Sequence, residues 1–340
     1  MPMKILILRF SSIGDIVLTT PVIRAIKTHD QAIEVHYATK AAYREILEQN
    51  PYIDKLHLLT NTISDLIKQL KMEEFDYVID LHRNLRTQLI KWNLKCKSYA
   101  FDKINFKKWL IVNTKVNLLP SKHIVERYME TLDPLGIKAD TLGLDYFIPH
   151  KDEVELSWLP ETHRQGFIAV VIGAKFATKQ LPENRIIELC DRINQPIVLL
   201  GGPEDQEAGE RISAFFEQSE DQLIEEEIIK TQLGKKSVVF NACGKFNLNQ
   251  SASLIKQSTA VFTHDTGLMH VAAAFKKKIF SIWGNTIPEF GMYPYKTQFV
   301  IFENKKINCR PCSKIGFDKC PKGHFKCMDD LAFDFYFSDL

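Results

Sequence analysis

Short apolar runs alternate with stretches of helical periodicity along most of the chain. Lys4 to Arg9 encloses four consecutive apolar residues, a pattern typical of a buried parallel strand. A polar turn, Ser11 to Asp15, follows it, and apolar residues then recur at helical spacing from Ile16 to Lys27, with Pro21 in the first turns of the predicted helix. Similar runs predict further strands at Ala32–Ala38, Tyr77–Leu81, Phe167–Ile172, Pro196–Leu200, Ser237–Asn241, Ala260–Thr263 and Ile279–Trp283. Strands that alternate with amphipathic helices indicate an α/β protein with doubly wound parallel sheets.

The length of the chain predicts two domains rather than one. At 340 residues it exceeds the size at which a single hydrophobic core usually stops growing. The stretch between Ile148 and Gln165 is polar and carries prolines, and the α/β pattern restarts after it. We therefore expect one Rossmann-like domain over residues 1–155 and a second over 156–340, which ends in a cysteine-rich tail at 309–327.

Composition and charge exclude several classes of protein. Hydrophobic residues make up 45% and charged residues 25% of the chain, as in ordinary globular proteins, and the net charge of +2 gives no reason to expect a nucleic-acid partner. The longest apolar run, Phe167 to Ile172, is far shorter than the roughly 18 residues of a membrane-spanning helix, and the amino terminus lacks the apolar stretch of a signal peptide. We expect a cytoplasmic protein, whose seven cysteines are thiols, metal ligands or catalytic groups before they are disulfides.

One segment, residues 91–122, is strongly basic. It carries eight lysines against one acidic residue, Asp102, and aromatic residues are interleaved with them. One interpretation is a solvated surface whose aromatic rings point into the core. The other is a face that contacts anionic headgroups, peripherally at a membrane, or a phosphorylated acceptor. The lysines are Lys91, Lys95, Lys97, Lys103, Lys107, Lys108, Lys115 and Lys122, and the aromatic residues are Trp92, Tyr99, Phe101, Phe106 and Trp109.

The first candidate site motif is the turn that ends at Asp15. It follows a predicted strand and precedes a helix, and ligands of open α/β sheets bind in the crevice at that edge. Gly14 would let a substrate approach the backbone, and Asp15 would present a carboxylate. The alternative is that Asp15 only caps a helix and the serines only form a turn. A single glycine here does not make a dinucleotide-binding loop.

The second motif, Asp265 to Ala274, begins where the strand ending at Thr263 gives way to a helix of small residues. The free N–H groups and the positive dipole end of such a helix bind phosphate readily. His270 alone indicates little, because a lone histidine on a helix is usually structural. Its combination with Asp265, Thr266 and Gly267 at a strand-to-helix corner is more specific.

Together the two motifs resemble glycosyltransferase family 9, the heptosyltransferases of bacterial lipopolysaccharide core assembly. The resemblance spans nearly the whole chain in the right order. It implies the GT-B architecture, two facing Rossmann-like domains with the active site in the cleft between them, and inversion at the anomeric carbon. The residues that carry it are Ser11–Ile16 with Thr20 and Pro21, Asp80–Asn84, Lys179–Pro182, Gly201–Glu204, Asp265–Ala274 and the tail from Cys309.

The resemblance also implies roles for individual residues. Asp15 would be the general base, which needs either a raised pKa or close geometry, and burial in the cleft is expected to supply both. Lys179 would bind the donor phosphates, Thr266 and Gly267 would offer backbone N–H groups, and Asp265 and His270 would hold the donor sugar and phosphates. Glu204 would bind the ribose, with Glu207 as its competitor. Ser12 and Gly14 lie on the acceptor side, where Arg83 and Arg86 either bind an acidic sugar or phosphate or form ordinary ion pairs.

The function that the resemblance implies is transfer of heptose from ADP-heptose to a lipopolysaccharide or lipid-linked glycan acceptor at the inner face of the membrane. A GT-B transferase or epimerase with another nucleotide sugar, and a catalytically silent carbohydrate-binding protein, are the alternatives. The sequence contains no Asp-x-Asp pair, the usual clamp for a metal–diphosphate complex. We therefore expect catalysis without a metal or another cofactor.

The tail has the pattern C-x₂-C-x₇-C-x₆-C, formed by Cys309, Cys312, Cys320 and Cys327. Four thiols with one close pair could form a tetrahedral structural zinc site. The second pair lacks the usual C-x₂-C spacing, so buried free thiols are the alternative.

Overall fold

Two parallel sheets organise the molecule, as seen in a computed structural model that describes residues 2–223, of which 218–223 by backbone alone, and residues 237–335. The first sheet has the strand order β3-β2-β1-β4-β5 and every pairing in it is parallel. Its first strand lies in the middle, as in doubly wound folds. The strands are β1 (Lys4–Leu8), β2 (Glu34–Lys40), β3 (Lys55–Leu59), β4 (Tyr77–Asp80) and β5 (Lys97–Ala100).

The second sheet repeats this plan with six parallel strands in the order β11-β10-β9-β6-β7-β8. Its first strand is again central, because the chain winds outward from β6 in one direction and returns to its other side at β9. The predicted α/β fold with two Rossmann-like halves is confirmed. The strands are β6 (Ile168–Val171), β7 (Ile197–Leu200), β8 (Val239–Asn241), β9 (Ala260–His264), β10 (Lys278–Trp283) and β11 (Phe299–Glu303).

Helices connect these strands, and among the described residues none of them is both long and apolar enough to cross a lipid bilayer. The helices of the first half are α1 (Ile13–Val17), α2 (Thr20–His29), α3 (Ile63–Lys71), α4 (Leu85–Leu94), α5 (Asn105–Thr114) and α6 (Ile124–Met129). Those of the second half are α7 (Glu183–Ile193), α8 (Gln206–Leu223), α9 (Leu248–Gln257), α10 (Gly267–Ala274) and α11 (Lys326–Asp329).

The segment predicted as one helix from Ile16 to Lys27 is two helices, so that prediction was wrong. The first, α1, ends at Val17, and α2 begins at Thr20 with Pro21 in its first turn. A proline is tolerated there because the first N–H groups of a helix have no partner inside the helix. The break lets α1 and α2 take different directions, and it leaves the short α1 beside the carboxyl end of β1.

The two halves are packed together. One continuous cluster of buried apolar side chains includes Ile16 from the first half and Met269 from the second. Helix α6 contributes to the same contact, since the Ile124 N–H donates to the carbonyl of Gly291 at 2.8 Å and Arg127 donates to the carbonyl of Phe290 at 3.2 Å. The position of the boundary between residues 155 and 156 stays a prediction.

Four buried histidines make the fold sensitive to acid. Burial lowers the pKa of His57, His264 and His270 from 6.5 to about 4, and that of His123 to about 3. The unfolded chain therefore binds more protons than the folded chain as soon as the pH falls below 6.5, and stability is lost from there down to the folded pKa. At pH values near 4, each histidine removes up to about 3 kcal/mol of the free energy of unfolding.

We expect the denaturant midpoint to fall steeply between neutral pH and about pH 5. His57→Gln should flatten this dependence, because it removes one titrating group, and His29→Gln, which changes an exposed histidine, should leave the slope unchanged. An equal slope in the wild type and in His57→Gln would contradict the assignment of His57 as a neutral, buried group.

Candidate active site

Asp15 lies in the first turn of α1, close to the carboxyl end of β1. Its Oδ1 is 2.7 Å from Nη2 of Arg9, and its Oδ2 accepts a hydrogen bond of 2.8 Å from the Ser12 hydroxyl. Burial alone would raise the pKa of Asp15, but attraction to Arg9 and the hydrogen bonds from Ser12 outweigh it and lower the pKa. The expectation of a raised pKa was therefore wrong, and Asp15 is a carboxylate held in one orientation.

Arg9 is the residue that fixes Asp15, and no role was predicted for it. Its guanidinium donates to the carbonyl oxygens of Ser11 at 2.7 Å and Leu81 at 2.6 Å, and to the Tyr128 hydroxyl at 3.0 Å. These bonds join the ends of β1 and β4 to α6. The orientation of the Asp15 carboxylate thus depends on contacts that Arg9 makes with residues more than 70 positions further along the chain.

Lys179 and Asp265 form an ion pair in the second half. Lys179 Nζ lies 2.6 Å from Asp265 Oδ2, and the Thr286 hydroxyl donates to the same oxygen at 2.9 Å. Lys179 ends a short 3₁₀ turn, Ala177–Lys179, and Asp265 follows β9. The two predicted donor-side residues are therefore direct partners, and Thr286, which sequence reasoning missed, completes the group.

Helix α10 begins at Gly267 with Thr266 as its N-cap. The Thr266 side chain makes no capping hydrogen bond to the helix, and its hydroxyl lies 3.5 Å from that of Thr263. The first N–H groups of the eight-residue helix are thus left without a side-chain acceptor from the cap. Such a helix start can accept an anion.

The two predicted motifs touch each other through their glycines. A Cβ atom at Gly14 would lie 2.6 Å from Cδ2 of His270 and 3.2 Å from Cα of Gly267. A Cβ atom at Gly267 would lie 2.8 Å from the Ile13 side chain. Only glycine allows the starts of α1 and α10 to approach this closely. His270, at this contact, interacts electrostatically with Asp15 and also with Asp265 and Lys179.

Two buried side chains in this region have polar atoms without a protein partner. Nδ1 of His270, and both Oδ1 and Nδ2 of Asn285, form no hydrogen bond within the described part of the chain. Burial lowers the pKa of His270 to about 4, so its ring is neutral, with one nitrogen that donates a hydrogen bond and one that accepts. Buried polar groups are rarely left unsatisfied, which makes both residues candidates for ligand contacts. Asn285 was not predicted from the sequence.

Glu204 lies in a 3₁₀ turn, Pro203–Asp205, just beyond the carboxyl end of β7. Asp205 anchors this turn, because its Oδ2 accepts the Gly202 N–H at 2.8 Å, and it leaves the Glu204 side chain exposed. The competing residue, Glu207, is on α8 and 3.9 Å from Arg211. Glu204 is therefore at the correct edge of the sheet, and no direct contact joins it to Lys179 or Asp265 within the described residues.

The acceptor side of Asp15 is basic. Arg83 donates to the carbonyl of Phe101 at 3.0 Å and lies 3.5 Å from Asp102, so the predicted ordinary ion pair is present. Arg86 is exposed on α4. Two residues that were predicted only as part of the basic segment, Lys103 and Lys108, interact electrostatically with Asp15.

Among these basic residues, Lys108 has a pKa that is lowered mainly by burial and further by neighbouring cations. Burial and the charges of Arg127, Lys314 and Lys103 lower its pKa to about 8. Lys108 also lies over the Phe290 ring, 5.5 Å from the centroid. An anion bound here would relieve this repulsion, because it would offset the positive charges that crowd Lys108.

Comparison with known proteins identifies the family. The sequence profile of glycosyltransferase family 9 (heptosyltransferase) matches residues 63–319, well over half of the chain. The chain belongs to glycosyltransferase family 9. Lipopolysaccharide heptosyltransferase 1 of Campylobacter coli is 22% identical over 90% of this chain and 91% of its own length.

Two solved structures share the fold of this family 9 glycosyltransferase. Escherichia coli ADP-heptose lipopolysaccharide heptosyltransferase II has a TM-score of 0.66 at 19% identity, covering 96% of this chain and 98% of its own. An Escherichia coli heptosyltransferase with ADP has a TM-score of 0.62 at 20% identity, covering 88% and 93%. The predicted family, the GT-B fold and the assignment as an enzyme that transfers a sugar are thereby confirmed.

The tail of this glycosyltransferase packs against the turn that carries Lys179. The Thr178 N–H donates to the carbonyl of Phe317 at 3.1 Å, and the Phe317 N–H donates to the Thr178 hydroxyl at 2.8 Å. The four tail cysteines are free thiols. Burial first, and then neighbouring thiols, raise the pKa of Cys312 to about 12 and that of Cys327 to about 11.

The thiols do not form a compact metal site. Where the structure describes the chain, the only three potential ligands whose ligand atoms all lie within 4.8 Å of one another are His36, His57 and Glu73. Those residues already have partners: the two rings hydrogen-bond at 2.9 Å, and Glu73 pairs with Lys55. A structural zinc at Cys309, Cys312, Cys320 and Cys327 is not shown, and free thiols are the alternative interpretation. We expect untagged protein to contain well under one zinc per chain by atomic absorption; one full equivalent would contradict the free-thiol interpretation.

Proposed function

We propose that this protein transfers heptose from ADP-heptose to the sugar of a lipopolysaccharide core or related lipid-linked acceptor, with inversion at the anomeric carbon, on the cytoplasmic side of the membrane. The observation that supports the proposal is the contact between Gly14 and Gly267. Beside it, His270 interacts electrostatically with Asp15 on one side and with Asp265 and Lys179 on the other. A nucleophile activated on one side and a leaving group stabilised on the other is what sugar transfer requires.

The donor would bind to the second half. A diphosphate placed at the start of α10 would accept hydrogen bonds from the backbone N–H groups of Thr266 and Gly267. The positive charge of Lys179 would stabilise it further. His270 Nδ1 and the Asn285 amide are unpaired polar atoms that sugar hydroxyls could satisfy. Glu204 would bind the ribose at the end of β7. The relative with ADP supports an adenine nucleotide, and a second Escherichia coli structure holds ADP-2-deoxy-2-fluoro heptose.

Asp15 would act as the general base. Its lowered pKa keeps it ionised at neutral pH, so its advantage would come from position rather than from high basicity. The acceptor hydroxyl would take the place of the Ser12 hydroxyl on Oδ2, while Arg9 holds Oδ1. The hydroxyl oxygen would attack the anomeric carbon from the face opposite the diphosphate, and its proton would pass to Asp15. The bond between the anomeric carbon and the β-phosphate oxygen would break, and ADP would leave with that oxygen.

The acceptor would be anionic. Arg83, Lys103 and Lys108 surround the approach to Asp15 with positive charge, which suits a carboxylate or phosphate on the acceptor glycan. Arg86, exposed nearby, would add to the same field. Segment 91–122 would place this side of the molecule at the membrane surface, where a lipid-linked acceptor is found.

Catalysis would need no metal. The charge that develops on the departing diphosphate would be stabilised by Lys179 and by the helix start, which together do the work of a divalent cation. Transfer should therefore persist in EDTA.

The test measures nucleotide binding and transfer separately. We expect ADP at a hundredfold excess over its Kd to raise the melting temperature by about 4 °C, more than UDP or GDP does. We also expect transfer from ADP-heptose to an acidic core acceptor in the presence of EDTA. A larger shift with UDP or GDP would favour a transferase or epimerase of another nucleotide sugar, and turnover restored only by magnesium or manganese would overturn metal independence.

A further inference from the structure

Two neighbouring helices of the first half expose a set of large apolar side chains. Leu85, Leu89 and Trp92 of α4 are 89%, 40% and 76% exposed, and Phe106 and Trp109 of α5 are 71% and 52% exposed. We call these five residues the apolar stripe. Single exposed apolar residues are normal, whereas large apolar residues concentrated on two consecutive helices point to a contact with a partner.

The members of the stripe lie on one side of each helix. Leu85, Leu89 and Trp92 are spaced by four and three residues, which puts them on a single helix face. Phe106 and Trp109 are three residues apart and their rings stack, with centroids 6.2 Å apart.

The two helices also start near each other. They follow β4 and β5, which are adjacent parallel strands, so both begin at the same edge of the sheet. The hydrogen bond from Arg83 to the carbonyl of Phe101 joins the two loops that lead into them.

Exposed lysines border the stripe. Lys95 and Lys97 follow α4, and Lys107 lies between Phe106 and Trp109 on the chain. Other lysines of this segment are engaged within the protein: Lys91 pairs with Asp80 at 2.9 Å, and Lys122 pairs with Glu130 at 2.6 Å. The basic character predicted for residues 91–122 is therefore concentrated beside the apolar stripe.

We propose that the apolar stripe inserts into the interfacial region of a bilayer that contains anionic lipids, with Lys95, Lys97 and Lys107 on the headgroups. Tryptophan rings favour the membrane–water interface, and lysines near an anionic surface each strengthen binding about fivefold. A protein partner would also fit the apolar residues, but the charges of segment 91–122 favour an anionic surface, because its one acidic residue, Asp102, is paired with Arg83. This inference extends the proposed function. It depends on the proposed function only for the identity of the lipid-linked acceptor.

The stripe also borders the acceptor side of the cleft. Leu85 is two residues from Arg83, and Phe106 is two residues from Lys108, which interacts electrostatically with Asp15. A bilayer that contacts the first turns of α4 and α5 would therefore present its headgroup sugars at the entrance to the basic pocket.

The experiment measures binding of the full chain to vesicles. We expect sedimentation with vesicles of phosphatidylcholine and phosphatidylglycerol, and little with phosphatidylcholine alone. The double variant Trp92→Ser, Trp109→Ser should weaken binding about tenfold or more, since burial of large apolar side chains is worth at least that factor. Lys95→Gln with Lys107→Gln should weaken it about fivefold for each lysine.

The controls match the variants in exposure and charge. Trp158 is 53% exposed, almost the same as Trp109, but lies in the segment between the halves, so Trp158→Ser should bind like the wild type. Lys151→Gln serves the same purpose for the lysines. Brominated lipids should quench the tryptophan fluorescence of the wild type and of Trp158→Phe, and much less that of Trp92→Phe with Trp109→Phe.

Equal binding by the wild type and the double tryptophan variant would overturn the proposal. The proposal would also be overturned if the double tryptophan variant bound vesicles like the wild type but differed from it in sedimentation coefficient without lipid. That result would favour a protein interface. Transfer to a water-soluble acceptor fragment should be the same in the stripe variants and the wild type. If the wild type binds vesicles but transfers no sugar, the proposed function fails and the membrane surface stands.

Discussion

Asp15→Asn is expected to lower kcat by about 10² to 10⁴, the usual contribution of a general base. Asparagine keeps the size of the side chain and can still accept the Ser12 hydrogen bond, but it cannot take up the acceptor proton. Nucleotide binding, measured by the ADP-induced thermal shift, should be retained because all the donor contacts that we propose come from the second half. In the wild type, kcat/KM should fall on the acid side only where the folded protein itself is lost, because the lowered pKa of Asp15 keeps its carboxylate ionised down to that pH.

The matched control is Asp145→Asn. Asp145 also pairs with a buried arginine of the first half, Arg24, but it is not part of the cleft. Both variants should lose stability, since each leaves a buried guanidinium with fewer partners, and only Asp15→Asn should lose turnover. Similar kcat values in the two variants would exclude Asp15 as the base, and they would favour the interpretation in which it only caps α1.

Lys179→Gln is the second change with a large expected effect. Removing one preorganised charge from a site where negative charge develops typically costs about 10² to 10³ in kcat. We expect such a loss in transfer rate and a weaker ADP-induced thermal shift. Lys175→Gln is the control, since Lys175 is an exposed lysine four residues away, whose ammonium lies over the Phe176 ring.

A double variant separates stability from catalysis at this pair. Lys179→Gln leaves Asp265 with the Thr286 hydroxyl but without its cation, so the protein should be destabilised. Adding Asp265→Asn removes the unpaired charge and should restore the melting temperature without restoring turnover. Recovery of turnover in the double variant would show that Lys179 acts only by neutralising Asp265.

The sequence predicts the strands in the interior of each sheet well and most of the strands at the sheet edges poorly. Strands such as β1 and β9 are buried on both faces of a parallel sheet, so each contains a run of consecutive apolar residues, Ile-Leu-Ile-Leu in β1 and Ala-Val-Phe in β9. The three unpredicted strands, β3, β5 and β11, all lie at sheet edges. β5 has the sequence Lys-Ser-Tyr-Ala and is mostly exposed, so neither hydrophobicity nor alternation distinguishes it from a loop.

The residues alone predict two separate motifs for the candidate site. Only the resemblance to the family implies that the two motifs face each other across a cleft. The residues that complete it, Arg9, Thr286 and Lys108, could not have been assigned from local sequence. Arg9 bonds to Leu81 and Tyr128, and Thr286 bonds to Asp265, across separations of 21 to 119 residues. The pKa of Asp15 was predicted in the wrong direction for the same reason, because Arg9 decides it.

Helix α5 contributes to both the proposed acceptor pocket and the apolar stripe, so its thickness would set the distance between that pocket and the bilayer. Lys108 turns toward the cleft, while Phe106 and Trp109 are exposed to the surroundings. A helix with its side chains is about 10 Å across, so a bilayer in contact with one face is roughly that far from the pocket at the other. If the acceptor is anchored in this bilayer, the protein should transfer sugar only to the acceptor sugars that lie close to the lipid. The thickness of helix α5 would then set the distance from the bilayer at which transfer occurs.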